Sequence, residues 1–210
     1  MNRIDLTRKH WKYYLMLEER FIESIEYVEL NADNYDTYSN VYALLIQTIG
    51  AELDNVFKEY CGFNPSERKN ISDYAQSILS TDPDIINQEI MLHGYSMQIK
   101  PFTNWNAEHS AQSLNWWSAF TDIKHNRIGS MKQANQKNIL NILGALYLIE
   151  MMYLKRITNG TSDLDVFDET SKLFGLKSWS SKAISLNQIL DVFGDMLDNG
   201  GPIPDRKYDV

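Results

Sequence analysis

The sequence has one cysteine, Cys61, among its 210 residues, and it has no long uninterrupted apolar run. A single thiol cannot form an internal disulfide or a zinc knuckle. The longest apolar stretch, residues 139–154, is interrupted by Asn141 and Glu150, so it falls short of a membrane span. The first residues also lack the apolar core of a signal peptide. These absences predict a cytoplasmic protein that does not enter a membrane.

Several patterns typical of catalysis and ligand binding are missing as well. The four histidines stand far apart in the chain, and none belongs to an HExxH or a paired Glu-x-x-His motif. No glycine-rich phosphate loop follows a predicted strand, and no GxSxG nucleophile elbow occurs. We therefore expect no bound metal and no cofactor.

Acidic residues outnumber basic ones. The chain carries 28 Asp and Glu against 20 Lys and Arg, which gives a net charge of −8. This balance disfavours broad, non-specific attraction to nucleic acid. A local basic groove is still compatible with it, so the distribution of charge matters more than the sum. The hydrophobic share of 43% is typical of a folded globular protein.

Two long amphipathic helices are predicted at the start of the sequence, over residues 7–30 and 36–60, because apolar residues recur at three- and four-residue steps. A short polar turn joins them, which predicts an antiparallel hairpin. Gly62 follows the second helix and is suited to a left-handed cap. The predicted buried side of the second helix consists of Val41, Leu44, Leu45, Ile49, Leu53, Val56 and Phe57.

The rest of the sequence continues the helical pattern around one predicted β-hairpin. Within residues 88–102, two short runs of alternating apolar and polar residues meet at His93-Gly94. This pattern predicts the hairpin. Further helices are predicted over 71–79, 110–126 and 131–157, near 163–174 and near 186–197, with a mobile tail over 200–210. The simplest architecture is a single mainly α-helical domain over 1–199, with a four-helix core from 7–60 and 110–157, the inserted hairpin and extra C-terminal helices.

The stretch SLNWWSAFTDIKHNRIGS, residues 113–130, holds the first candidate site. Asp122 and His125 are three residues apart and can share one helix face, where a carboxylate can hold an imidazole in one tautomer for acid–base work. Lys124 and Arg127 lie beside them and can hold a phosphate. In the alternative, the aromatic side of the helix is buried and the basic end is only solvated, in favourable contact with the helix dipole.

A second polar cluster lies on the helix predicted over 36–60. It consists of Glu52, Asp54 and Lys58, and Asp54 and Lys58 have the spacing of a helix-surface ion pair. The cluster belongs to a site only if this helix packs beside the helix over 110–126. Glu52 or Asp54 would then face His125 and orient the basic groups.

Two segments together resemble a known family. Residues 52–61, ELDNVFKEYC, are followed by residues 116–127, WWSAFTDIKHNR, and by an Asn- and Leu-rich helix that includes Ala145-Leu146-Tyr147. This combination, spread over residues 7–157, resembles a group of bacterial and phage helical proteins and, more distantly, the HEPN superfamily. The tryptophan pair with the Lys-His-x-Arg end is its most specific part.

The resemblance implies a bundle of four or five helices that is often dimeric. Many members are ribonucleases of toxin–antitoxin, anti-phage or RNA-processing systems. Their motif is an arginine followed, after four to six residues, by a histidine. His125 matches the histidine, but Ser118, Ala119 and Phe120 stand where the arginine is expected.

The implied reaction is metal-independent attack of the ribose 2′-hydroxyl on the adjacent phosphate. His125 would act as acid or base, Lys124 and Arg127 would hold the phosphate, and Glu52 or Asp54 would orient them. We thus expect a HEPN-like protein of a bacterial or phage-related defence or toxin-type system that acts on or binds RNA, with a homodimer as the expected assembly. The alternative is a non-catalytic interaction or dimerisation module, in which the same residues form a buried ion network that fixes helix register.

Overall fold

The computed structural model describes residues 1–159 and 166–176, in which five helices form a bundle with a small antiparallel sheet. The prediction of a mainly α-helical bundle with a small β insertion is confirmed. The helix predicted near 186–197 and the tail over 200–210 lie outside the described residues. Among the residues described, no helix has the length and apolar character needed to cross a membrane.

The helices and strands are numbered here in chain order. Helix α1 is continuous and consists of Arg3–Leu6, a π-helical turn over Thr7–Trp11, and Lys12–Ile25. The other helices are α2, Asn40–Tyr60; α3, Ile71–Thr81; α4, Asn115–Asn126; and α5, Gln136–Ile157. The strands are β1, Ile90–Leu92; β2, Gln98–Ile99; and β3, Phe174–Leu176.

Local capping sets where the long helices begin and end. The Ser39 side chain accepts a hydrogen bond from the backbone N–H of Tyr42 at the start of α2. Asn70 and Asp73 form a reciprocal capping box at the start of α3. Gly62, just after α2, has a φ of +71°, so the left-handed cap predicted from the sequence is present.

The sheet has the strand order β2-β1-β3, and both pairings are antiparallel. Strands β1 and β2 are the predicted hairpin, with Ile90 opposite Ile99 and Gly94 at a φ of +80° in the turn. The helix predicted near 163–174 is wrong for its described part. Residues 166–173 are not helical and lead into β3, because the segment pairs with β1 and places Phe174 in the core.

Helices α2 and α5 pack side by side through the centre of the bundle, and α4 lies against α2. Gly50 of α2 permits the close approach of α4, since a Cβ at this position would lie 2.2 Å from the Phe120 ring. Trp116 and Trp117 are both buried and extend an aromatic cluster around Phe57. The tryptophan pair of the quoted stretch therefore anchors α4 in the core.

The predicted buried side of α2 is partly wrong. Val41 is 52% exposed and Leu44 is 66% exposed, whereas Tyr42 and Ile46 between and beyond them are buried. Helical periodicity selects the positions that share a face. It does not select which face a neighbouring element covers, and no described element covers this one.

Candidate functional site

Glu52 faces α1 instead of α4. Its Oε1 atom lies 2.5 Å from Nδ1 of His10, and its Oε2 atom accepts a weaker hydrogen bond from Asn55. Gly50, which contacts α4, is two residues earlier and so lies about 200° around the helix from Glu52. The expectation that Glu52 orients His125 is therefore corrected, because the two residues belong to different sides of α2.

The second predicted acidic partner, Asp54, is also engaged elsewhere. Its Oδ1 accepts a hydrogen bond of 3.0 Å from the hydroxyl of Tyr74 on α3. The expected ion pair of Asp54 with Lys58 is absent from the ion pairs among the described residues. Lys58 is half-buried, and the neighbouring Glu59 lies 3.7 Å from Nε2 of His10.

The register between α2 and α4 explains why the two predicted clusters do not meet. Arg127 contacts Asn40, Phe120 contacts Gly50, and Trp117 lies near Phe57. The two helices are thus antiparallel, with the basic end of α4 at the start of α2. Glu52 and Asp54 follow Asn40 by three to four turns, which corresponds to about 18–21 Å along the axis.

The basic end of α4 is exposed. Nη1 of Arg127 donates a hydrogen bond of 3.1 Å to Oδ1 of Asn40, and Nζ of Lys124 lies 5.4 Å above the Phe120 ring. The side chain of His125 forms no hydrogen bond or ion pair with another described residue. Asp122, the carboxylate predicted to hold the imidazole, accepts a hydrogen bond from Gln133 instead. This end of α4 provides positive charge without an oriented acid–base pair.

The surroundings of this end have a feature that motif-based reasoning missed. From Ile123 to Ile149 the chain contains no Asp or Glu, although acidic residues are 28 of the 210. Lys132, in the connection between α4 and α5, is exposed and adds a further cation. None of Lys124, Arg127 and Lys132 forms an ion pair with a described residue. A count of acidic residues along the sequence would have revealed this segment.

A buried polar cluster, which sequence reasoning also missed, surrounds the π-helical turn of α1. His10 is 6% exposed, Glu52 is 8% exposed, and Glu150 of α5 is fully buried. Both carboxyl oxygens of Glu150 lack a hydrogen-bond partner among the described residues. Burial raises the pKa of Glu150 well above its ordinary value, and the nearby charge of Glu52 raises it further. Because its side chains are buried, we expect this cluster to act on stability.

The raised pKa of Glu150 predicts a pH-dependent effect of Glu150→Gln. Below the unfolded-state pKa the carboxyl is neutral in both states; above it, the unfolded chain releases the proton while the folded chain keeps it, so stability is lost with rising pH. Glutamine has no such proton. We expect the free energy of unfolding of the variant to rise relative to the parent as the pH increases above the unfolded-state pKa of the carboxyl group. Urea titrations at several pH values measure this difference, and a difference independent of pH would contradict it.

The described residues contain no group of three or more His, Cys, Asp or Glu side chains that could hold a metal ion. Lys124, Arg127 and Lys132 together are exposed cations at one end of α4, without ion pairs to described residues. A scan against protein-family models, a search of curated proteins and a search of solved structures each found no match to this chain.

Proposed function

We propose that this chain is a HEPN-like helical protein of a bacterial or phage-related defence system, and that it binds RNA without cleaving it. The binding surface is the basic corner, defined as Lys124, His125, Arg127 and Lys132. One observation carries the proposal: these side chains are exposed and free of ion pairs with described residues, in a segment with no acidic residue from Ile123 to Ile149.

The net charge of −8 does not prevent such binding. Charges more than a Debye length apart are largely screened, and that length is about 10 Å at 0.1 M salt. A phosphate at the basic corner therefore senses the local cations more strongly than the acidic surfaces elsewhere. Lysine and arginine neutralise phosphates and release counterions, which makes the affinity dependent on salt.

The geometry favours binding over catalysis. Attack by a 2′-hydroxyl requires a positioned base and a group that stabilises the charge on the phosphate. Among the described residues, no carboxylate forms a hydrogen bond or ion pair with His125 to hold its tautomer. Ser118, Ala119 and Phe120 stand where the family motif has its arginine. The alternative is a non-catalytic interaction module whose polar residues form a buried network. One observation weighs against it: the contacts of Glu52 are buried and connect helices of the same chain, so they present no surface to a partner.

The test is a fluorescence-anisotropy titration of a labelled single-stranded RNA. We expect the triple variant Lys124→Gln/Arg127→Gln/Lys132→Gln to bind at least about tenfold more weakly than the parent, because each lost charge-assisted contact is worth about 1.5 kcal/mol or more. The slope of log affinity against log salt should decrease by about 0.7 for each phosphate contact removed.

A matched control separates location from net charge. Arg8, Lys9 and Lys12 are exposed on α1 and form no ion pair with a described residue, so their triple Gln variant changes the net charge by the same amount. Its affinity should stay near that of the parent. Equal losses in both triple variants, or no saturable binding by the parent, would overturn the proposal. Metal-free cleavage of RNA by the parent that is absent in His125→Ala would replace binding with catalysis.

A further inference from the structure

A cavity of about 210 Å³ lies between three elements of the bundle. Its walls are residues 100–104 after β2, the start of α4, and the first turns of α5. Lys100 and Lys137 line it from different elements, and no carboxylate is among its lining residues. Leu114 and Trp116 are buried and form an apolar part of the wall. Lys124, His125 and Arg127 of the basic corner lie at the opposite end of α4 from the cavity.

The cations of the cavity are available to an anion. Lys137 forms no ion pair with a described residue, and Nζ of Lys100 lies 3.8 Å from Oε1 of Glu89, near the outer limit for such a pair. Helix α4 begins at this wall, and no side chain caps it at Leu114. The backbone N–H groups of Asn115 and Trp116 have no backbone acceptor among the described residues, whereas that of Trp117 donates to the carbonyl of Leu114. The two N–H groups and the helix dipole reinforce the positive charge that the lysines supply.

The polar groups of the cavity are held in place by their own hydrogen bonds. The indole N–H of Trp116 donates to the carbonyl of Pro101 at 2.6 Å. The side-chain amide nitrogens of Asn138 and Asn141 donate to the backbone carbonyls of Gln133 and Lys137. Their side-chain oxygens keep free acceptor capacity, so hydroxyl groups of a ligand can donate to them.

We propose that this cavity binds the phosphomonoester of a small sugar. The phosphate lies between Lys100 and Lys137, and the sugar hydroxyls donate to Asn138 and Asn141. The volume supports a ligand of this size, because pockets for drug-sized molecules start at about 300 Å³. The two lysines and the lack of lining carboxylates favour an anionic ligand over a cationic one. This inference does not depend on RNA binding at the basic corner.

Isothermal titration calorimetry of the full chain with ribose 5-phosphate and with ribose tests the cavity. We expect saturable binding of ribose 5-phosphate and none of ribose. Lys137→Gln and Lys100→Gln should each weaken the binding about tenfold or more, because each removes a charge-assisted contact. Both lysines are exposed, so the variants should keep the circular dichroism spectrum of the parent. Lys12→Gln, on α1, is the matched control and should bind like the parent.

A second arm identifies the source of the phosphate. RNA with a 5′-phosphate is compared with the same RNA carrying a 5′-hydroxyl. Tighter binding of the phosphorylated RNA that disappears in Lys137→Gln would assign the cavity to an RNA end. Equal binding of the two RNAs, with binding of ribose 5-phosphate, would assign it to a free sugar phosphate. The inference is overturned if ribose binds as tightly as ribose 5-phosphate, or if Lys137→Gln has no effect on binding. It is also overturned if neither ribose 5-phosphate nor 5′-phosphorylated RNA binds more tightly than its unphosphorylated counterpart.

Discussion

Replacing His10 with alanine should lower the free energy of unfolding by about 3 kcal/mol, which is the upper end of the cost of leaving a buried polar group without its hydrogen-bond partner. His10 is 6% exposed, and its Nδ1 atom lies 2.5 Å from Oε1 of Glu52. Without the imidazole, the Glu52 carboxylate keeps only the weak hydrogen bond from Asn55. It also remains close to Glu150, which is fully buried. Two enclosed carboxyl groups would then lie close together without the imidazole as a hydrogen-bond partner.

Urea unfolding followed by circular dichroism measures this loss. His109→Ala is the control, because His109 is exposed and a surface substitution of this kind changes stability by about 0.5 kcal/mol or less. The double variant His10→Ala/Glu52→Gln should lose less free energy of unfolding than the two single variants lose together. We expect a coupling energy of about 0.5–3 kcal/mol. Additive losses would show that the contact of His10 with Glu52 contributes little.

Replacing Glu18 with alanine should cost about 3 kcal/mol or more and should loosen the attachment of residues 171–173 to α1. Glu18 is 1% exposed and accepts hydrogen bonds from the hydroxyls of Tyr14 and Ser171 and from the backbone N–H groups of Lys172 and Leu173. A buried donor that loses its acceptor costs about 1–3 kcal/mol. The variant leaves several buried donors without an acceptor at once, just before the chain enters β3.

The neighbouring Glu19 supplies a matched control. Its carboxylate pairs with Nζ of Lys172 at 2.6 Å, but both side chains are exposed, so Glu19→Ala should cost no more than about 1 kcal/mol. Amide hydrogen exchange gives the local measurement. Exchange at Lys172 and Leu173 should accelerate in Glu18→Ala and stay near the parent rate in Glu19→Ala. Similar exchange in both variants would mean that Glu18 does not hold this segment.

The two buried carboxylates also show the limit of sequence patterns. Glu18 occupies an ordinary helical position in α1, and nothing in its neighbours along the chain indicates that it binds a segment more than 150 residues away. The same holds for His10 and Glu52, which are 42 residues apart. Contacts of this kind depend on how helices pack, and periodicity carries no information about the partner.

The mistaken helix near 163–174 has a related cause. Local spacing in this region is compatible with a helix, but strand pairing is a non-local interaction and β1 supplies it. Glu18 and the stacking of Phe167 on Trp11, with ring centroids 4.0 Å apart, attach the same segment to α1. Together these contacts outweigh the local preference.

The sequence by itself determined the helices and the hairpin, because apolar periodicity, caps and turn residues act over a few neighbours. It also determined the acid-free segment from Ile123 to Ile149, since this is a property of composition. Only the tertiary structure decided that α4 lies antiparallel to α2, which separates His125 from Glu52 and Asp54. The physical reason is that a helix presents charges along its whole length, and the register of packing alone determines which of them meet.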